Sequence, residues 1–139
     1  MNACIEYRHG PEQVDVVQLH ALLRLTYWAA HRPVAQVERA VRNSFCVSAW
    51  HGVQQVGFAR LITDFATHAY LADVIVAPAW RSRGIASCMV RKLTDHEAVA
   101  TCRITLHTRD AHAVYQPLGF AVTPSMVRKA TGTWPEGQP

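Results

Sequence analysis

The chain has 139 residues, of which 50% are hydrophobic and 17% are charged. One folded domain is expected at this length, and general disorder is excluded, because the charged fraction lies below the usual roughly 25% and leaves ample material for a packed core. The formal net charge is +4, and only Lys92 and Lys129 are lysines among the 14 basic residues, so the scattered arginines favour one phosphate site over a nucleic-acid-binding stripe.

No apolar run approaches the roughly 18 residues that span a bilayer, and Glu6, Arg8 and His9 fall where a signal peptide would have its apolar region. We therefore predict a soluble, cytoplasmic protein with no membrane partner.

The four cysteines form no C-x-x-C pair and the histidines form no H-x-x-x-H motif, so the sequence predicts neither a disulfide framework nor a metal site. These cysteines are Cys4, Cys46, Cys88 and Cys102.

Apolar residues at helical spacing predict two helices near the start of the chain. The first covers about residues 12–27. Its apolar stripe consists of Val14, Val17, Ala21, Leu22 and Leu25. Pro33 suits the first turn of a helix and opens the second, whose stripe from Val34 to Val41 ends near Asn43.

A β-rich block follows from Phe45 to Ala77. Turn residues divide it, Gly52 among them, which predicts a meander of three antiparallel strands. We place these strands at about residues 45–50, 54–63 and 68–77. The third is apolar on both faces apart from Asp73, as expected of a central strand covered on both sides, and Pro78 ends it.

The remainder of the chain returns to helix and strand. A stripe from Ile85 to Leu93 predicts a helix, residues 103–108 have the pattern of a strand, and Asp110 can cap a short helix. The order of elements predicts an α/β fold in a single domain over residues 1–130. Residues 131–139 are rich in glycine and proline and are predicted to form a flexible tail.

The most informative segment joins the third predicted strand to the helix that follows Gly84. The first amides of a helix lack intrahelical partners and lie at the positive end of its dipole, so they can bind phosphate oxygens. Gly84 lets the backbone approach a ligand, while Arg81 and Arg83 can meet phosphate charge. Residues 81–87 are therefore predicted to form an anion-binding turn, hereafter the cradle. An ordinary arginine-bearing turn is the alternative.

These features resemble the GNAT superfamily of N-acetyltransferases, whose acetyl-CoA motif R/Q-x-x-G-x-G/A follows a strand. The motif here is RSRGIA, residues 81–86, and the segment from Asp110 to Phe120 matches the family's aromatic residue before a Gly-Phe pair. The resemblance covers about residues 4–130. It implies a mixed, mostly antiparallel central sheet flanked by helices. In the family's numbering the predicted strands at 68–77 and 103–108 are strands four and five, and these are splayed to admit pantetheine.

The resemblance also implies acetyl-CoA as co-substrate. Its pyrophosphate would rest on the helix that begins near Gly84, and backbone amides of the fourth strand would bond the acetyl carbonyl and pantetheine. The residues that this assigns to acetyl-CoA are Val74, Val76, Arg81, Ser82, Arg83, Gly84, Ile85, Ala86 and Ser87.

The implied chemistry is direct transfer of an acetyl group to an amine in a ternary complex, without a covalent acetyl-enzyme. Tyr115 is predicted to protonate the leaving thiolate, with a core tyrosine as the alternative. Pro117 removes a backbone hydrogen bond and is expected to end the helix near Gln116. Asp73 is the predicted base, and the alternative is a structural aspartate bonded to backbone or to an arginine.

The resemblance assigns the acceptor pocket to the segment joining the first two helices and to the turn before strand four. Trp28 and Phe65 can form aromatic walls for the amine, and Arg32 can pair with a substrate carboxylate. We therefore predict an N-acetyltransferase acting on a primary amine of a small molecule. A non-catalytic acyl-CoA-binding sensor and a basic nucleic-acid-binding module are the alternatives, and the sequence leaves a homodimer open.

Overall fold

The computed structural model describes residues 4–135. Five strands form one sheet in chain order: β1 Glu6–His9, β2 Phe45–His51, β3 Gln54–Thr63, β4 His68–Val76 and β5 Arg103–Thr105. The helices are α1 Val16–Leu23, α2 Val34–Arg42, α3 Ile85–Thr94 and α4 His112–Tyr115. Strands β1 to β4 pair antiparallel, while β4 and β5 pair parallel. The expected mixed, mostly antiparallel sheet is confirmed.

The first helix is shorter than its predicted span of 12–27. Asp15 caps α1, because its Oδ1 accepts a hydrogen bond from the Gln18 amide at 3.0 Å. At the other end, the Thr26 hydroxyl donates to the Leu23 carbonyl at 2.7 Å and turns the chain. The apolar stripe continues through both caps, so periodicity alone overestimated the length of the helix.

The meander of β2, β3 and β4 and the helix starting after Gly84 are confirmed. Strand β1 was not predicted, because it is a four-residue edge strand without clear alternation in burial. Strand β5 ends at Thr105, where its pairing with β4 stops. Asp110 does not cap α4, since the Thr108 hydroxyl accepts the hydrogen bond of the Ala111 amide at 3.0 Å instead.

The core has two layers, one on each face of the sheet. Under α3, a cluster that includes Leu61, Met89 and Leu93 is almost completely buried. On the opposite face, α1 and α2 cover a second cluster that includes Leu19, Val37 and Phe58. Strand β4 contributes to both clusters, which confirms that it is covered on both sides.

Residues 136–139 of the predicted tail lie outside the described residues. Residues 131–135 form neither helix nor strand, and within them the Trp134 ring centroid lies 5.8 Å from the Arg39 guanidinium on α2. Within the described part of the chain, no helix combines the length and apolar character needed to cross a membrane.

Candidate active site

Strand β4 carries a bulge at Asp73. The register with β3 shifts between the pairs Phe58↔Ile75 and Arg60↔Ala72, and Asp73 has a φ of 53°, a left-handed conformation uncommon for residues other than glycine. Residues on the two sides of the bulge differ in environment: Leu71 packs under α3, whereas Ile75 packs against α1 and α2. The bulge therefore changes which side chains of β4 face each helical layer.

The Asp73 carboxylate is buried and binds three side chains. Trp28 Nε1 donates to Oδ1 at 3.0 Å, while Arg32 Nη1 and Arg60 Nε donate to Oδ2 at 2.8 and 2.9 Å. Burial alone would raise the pKa of Asp73, but the charges of Arg60 and Arg32 outweigh it and hold that pKa below its ordinary value. These contacts favour the structural role over the predicted role as base.

Beyond the bulge, one edge of β4 is left open by β5. The parallel pairing ends at Tyr70↔Thr105. The Ala77 amide donates to the Val56 carbonyl next to β3 at 2.8 Å. Since successive amides of a strand point to opposite edges, the amides of Val74 and Val76 point away from β3. This is the orientation that the acetyl-CoA prediction requires.

A cavity of about 710 Å³ lies beside this open edge. It is bounded by β4, by the segment between α1 and α2, and by the chain that follows β5. Five of the residues predicted from the sequence line it together, namely Trp28, Arg32, Asp73, Val74 and Tyr115. Further lining residues are Tyr27, Arg60, Tyr70, His107, Arg109 and Asp110.

Phe65 does not line this cavity, so its assignment to the acceptor pocket is corrected. It lies in the turn between β3 and β4, and its ring packs edge-on against Phe45 with centroids 5.7 Å apart. Asp64 forms this turn by accepting the amide hydrogen bonds of Ala66, Thr67 and His68. The turn precedes β4, whereas the open edge lies toward the other end of that strand.

Tyr115 is the last residue of α4 and lines the 710 Å³ cavity. Pro117 lies in the 3₁₀ turn Gln116–Leu118, and the expectation that the α-helix ends near Gln116 is confirmed. Burial, and secondarily Tyr27, raise the pKa of the Tyr115 phenol, so the group stays protonated at neutral pH. Its hydroxyl makes no hydrogen bond to any other residue among 4–135, and it remains available as a donor.

The cradle has the backbone conformation of an anion site. Ser82 and Gly84 have φ angles of 63° and 79°, and such left-handed residues can turn amides toward a common centre. The first hydrogen bond of α3 runs from the Cys88 amide to the Gly84 carbonyl at 3.0 Å, leaving the amides that precede Cys88 without intrahelical acceptors. Apart from Gly84 and its two chain neighbours, no residue has an atom within 4 Å of the position of a Cβ on Gly84. These features fit the pyrophosphate of acetyl-CoA.

Both arginines of the cradle are exposed and anchored at its rim. Arg81 Nε donates to the Val76 carbonyl at 3.2 Å. Arg83 Nη2 donates to the Ala79 carbonyl at 3.4 Å, and its guanidinium lies 4.8 Å from the centroid of the Trp80 ring. Each guanidinium keeps further N–H groups for a phosphate oxygen.

The sequence did not indicate a chain of hydrogen bonds that starts in the cavity. Tyr70 Oη lies 3.0 Å from His107 Nδ1, and His107 Nε2 lies 3.1 Å from Ser125 Oγ. Tyr70 and His107 are brought together because Tyr70 pairs with Thr105 at the end of the parallel β4–β5 register, and His107 follows Thr105 by two residues. No local pattern relates residues so far apart in sequence.

The described residues contain no group of three or more histidine, cysteine or acidic side chains that could hold a metal ion. All four cysteines are free thiols. Burial raises the pKa of Cys46 to about 12, which keeps that thiol protonated at neutral pH.

Sequence comparison matches the chain to one domain family. A model of the Acetyltransferase (GNAT) domain matches residues 42–122. Histone acetyltransferase TAP1 of Glycine max is 28% identical over 130 residues, which cover 83% of this chain and 55% of that protein. GCN5-related N-acetyltransferase 2, chloroplastic, of Arabidopsis thaliana is 25% identical over 139 residues, covering 84% and 54%. The chain spans about half the length of the curated relatives it matches.

Structure comparison agrees with this result. A crystal structure of a GNAT family protein from Xanthomonas campestris pv. campestris has a TM-score of 0.86 and 33% identity, and the match covers 91% of this chain and 94% of that one. A second crystal structure, from Deinococcus radiodurans R1, has a TM-score of 0.74 and 22% identity, covering 90% and 87%, and is similar in fold. With the motif, the splayed strands and the matched domain in agreement, the chain belongs to the GNAT family of acetyltransferases.

Proposed function

We propose that the protein is an acetyl-CoA-dependent N-acetyltransferase that acetylates a primary amine of a small molecule by direct attack in a ternary complex. The observation that carries this proposal is the placement of the open β4 edge between two features. The cradle follows the end of β4 in the sequence. The 710 Å³ cavity, which Tyr115 lines, lies beside the open edge of β4.

The backbone supplies most of the contacts to acetyl-CoA in this proposal. The first amides of α3, from Ile85 to Ser87, bind the pyrophosphate, with Arg81 and Arg83 beside it. The amides of Val74 and Val76 hold the acetyl carbonyl and the pantetheine. Donors fixed in a strand stabilise the negative charge that develops on the carbonyl oxygen when the amine attacks, and they need no rearrangement to do so.

Tyr115 protonates the thiolate that leaves. Its raised pKa keeps the hydroxyl protonated, and its position in the cavity wall leaves the hydroxyl without an intramolecular acceptor among residues 4–135. The proton therefore moves from the Tyr115 hydroxyl to sulfur as the carbon–sulfur bond breaks.

The amine must lose a proton before it attacks, because a primary amine with a pKa near 10.4 is largely protonated at pH 7. Asp73 is a weak acceptor, since its pKa is lowered and three N–H donors already bind it. We assign Asp73 to holding Trp28 and Arg32 in the cavity wall.

Proton removal is assigned to Tyr70 and His107, which share a hydrogen bond and face the same cavity. Tyr70 accepts the amine proton as it passes its own proton to His107 Nδ1. Ser125 Oγ accepts the Nε2–H of the same imidazole in the tautomer that this step requires.

A thiol-release assay with acetyl-CoA and a panel of primary amines tests the proposal, with a no-acceptor reaction as control. We expect thiol release that depends on the amine. Stabilisation by acetyl-CoA without thiol release from any amine would support the sensor instead. Binding of DNA or RNA that weakens steeply with salt, together with indifference to acetyl-CoA, would support the nucleic-acid-binding module.

The assembly proposed for the protein is a homodimer. Its support is a group of apolar side chains after α4 that are largely exposed in the single chain: Val122 at 75%, Met126 at 100% and Val127 at 68%. Light scattering coupled to size-exclusion chromatography measures the mass directly, and a monomer at all concentrations tested would contradict this assembly.

A further inference from the structure

The cavity carries more positive than negative side chains. Its lining includes the guanidiniums of Arg32, Arg60 and Arg109 and the carboxylates of Asp73 and Asp110. Asp73 pairs with both Arg32 and Arg60, so a single negative charge faces two positive ones in the buried wall. An anionic group on a substrate would restore the balance, whereas a second cationic group would be repelled.

Arg109 is held in place by an aromatic ring. Its guanidinium carbon lies 3.7 Å from the centroid of the Tyr27 ring. Tyr27 in turn stands edge-on to Trp28, with centroids 5.0 Å apart, and Trp28 is bonded to Asp73. Within residues 4–135 the Arg109 side chain makes no ion pair or hydrogen bond, so stacking orients its N–H groups without using them.

Arg32 is the second arginine with donors to spare. It uses Nη1 for Asp73, and its side chain is 23% exposed. Arg60 differs, since it uses Nε for Asp73 and Nη1 for Ser44 and is only 9% exposed. Of the two arginines that bind Asp73, Arg32 is therefore the one that can also reach a ligand.

Resting on the proposed function, we infer that the acceptor amine carries a carboxylate, as an amino acid does, and that Arg109 and Arg32 bind it. Two N–H groups of a planar guanidinium match the two oxygens of a carboxylate. The aromatic rings of Tyr27 and Trp28 then contact the apolar part of the acceptor. Polyamines are poor acceptors for this site, because each brings a further positive charge next to the arginines.

The test compares amines that differ only by a carboxylate: phenylalanine with phenethylamine, arginine with agmatine, and lysine with cadaverine. We expect kcat/KM to favour the carboxylated member by about 10- to 100-fold, the range for a charge-assisted hydrogen bond. In Arg109→Gln the ratio of kcat/KM between the carboxylated and the decarboxylated amine should fall toward one, because KM for the carboxylated amine rises. Arg24→Gln removes the same charge from an exposed position outside the cavity and should leave the preference unchanged.

The outcomes separate this inference from the proposed function. Thiol release that is equal or faster with the decarboxylated amines overturns the inference and leaves an acetyltransferase. An unchanged preference in Arg109→Gln overturns the assignment of Arg109, and an unchanged preference in Arg32→Lys overturns the assignment of Arg32. The absence of thiol release with every amine overturns the proposed function itself. Equal stabilisation of wild type and Arg109→Gln by acetyl-CoA verifies that the variant is folded.

Discussion

The Arg60 guanidinium Nε lies 2.9 Å from Asp73 Oδ2, and this ion pair joins β3 to β4 beside the bulge. The side chains are 9% and 4% exposed. In Asp73→Asn the buried Arg60 guanidinium and the partly exposed Arg32 guanidinium lose their counter-charge, so we expect the free energy of unfolding to fall by about 3–5 kcal/mol. Urea denaturation measures this, with the exposed Asp110→Asn as control. Equal effects of the two substitutions would contradict a structural role for the pair.

The same ion pair predicts how stability depends on pH. The pKa of Asp73 in the folded protein is below its ordinary value of 3.8. Its contribution to stability is therefore complete above pH 3.8 and is lost as the pH falls through the folded pKa. Urea midpoints measured from neutral pH downward should decline less steeply with acid in Asp73→Asn than in wild type. Parallel declines would show that other carboxylates are responsible.

Substitution of Gly84 tests whether the cradle binds acetyl-CoA. Acetyl-CoA at about 100 times its dissociation constant should stabilise the folded protein by roughly 2.7 kcal/mol. Gly84→Val should abolish this shift, because Gly84 has a φ of 79° and a branched Cβ would occupy the open space beside the cradle amides. Thermal unfolding with and without acetyl-CoA measures the effect.

Gly52→Val is the matched control for this substitution. Gly52 also has a left-handed backbone, with a φ of 60° and no atom beyond its chain neighbours within 4 Å of a Cβ position, but it lies in the turn between β2 and β3. Both variants carry the same kind of backbone strain. Only Gly84→Val should lose the response to acetyl-CoA, and an equal response in a folded Gly84→Val would remove the basis for placing the pyrophosphate here.

Tyr115→Phe retains the ring and removes the hydroxyl. If this hydroxyl protonates the thiolate, kcat should fall by roughly 10²- to 10⁴-fold while the dissociation constant for acetyl-CoA changes little. Tyr7→Phe, at a half-buried tyrosine on β1, is the control and should leave kcat unchanged. A fall in kcat of less than about threefold, with chemistry shown to limit the rate, would return Tyr115 to a packing role.

The loss of kcat/KM on removing the His107 imidazole should depend on the basicity of the acceptor amine. With an aliphatic amine, which is protonated at pH 7, His107→Gln should lower kcat/KM by about 10²- to 10⁴-fold. A weakly basic amine that is already neutral at this pH needs no proton acceptor and should lose less than about tenfold. His112→Gln serves as control, since His112 is exposed and does not line the 710 Å³ cavity. Equal losses for both amines would indicate that His107 only supports the cavity wall.

Local patterns in the sequence determined much of the framework. The meander from β2 to β4, the start of α2 at Pro33 and the cradle before α3 were all located by features that act within a few residues, such as alternation, turn residues and backbone limits at proline and glycine. The short strand β1 escaped this reasoning because a four-residue edge strand has too little pattern to detect.

The tertiary structure alone decided which side chains meet in the site. Asp73 binds Trp28 and Arg32, which lie 45 and 41 positions away, and Tyr70 meets His107 across 37 positions. Phe65 was misplaced for the same reason. Such contacts depend on strand register and on the bulge that redirects one side of β4, and a one-residue change in either would send a side chain to the other face of the sheet. Local sequence therefore specified the elements and the cradle, while long-range packing selected the partners of each functional group.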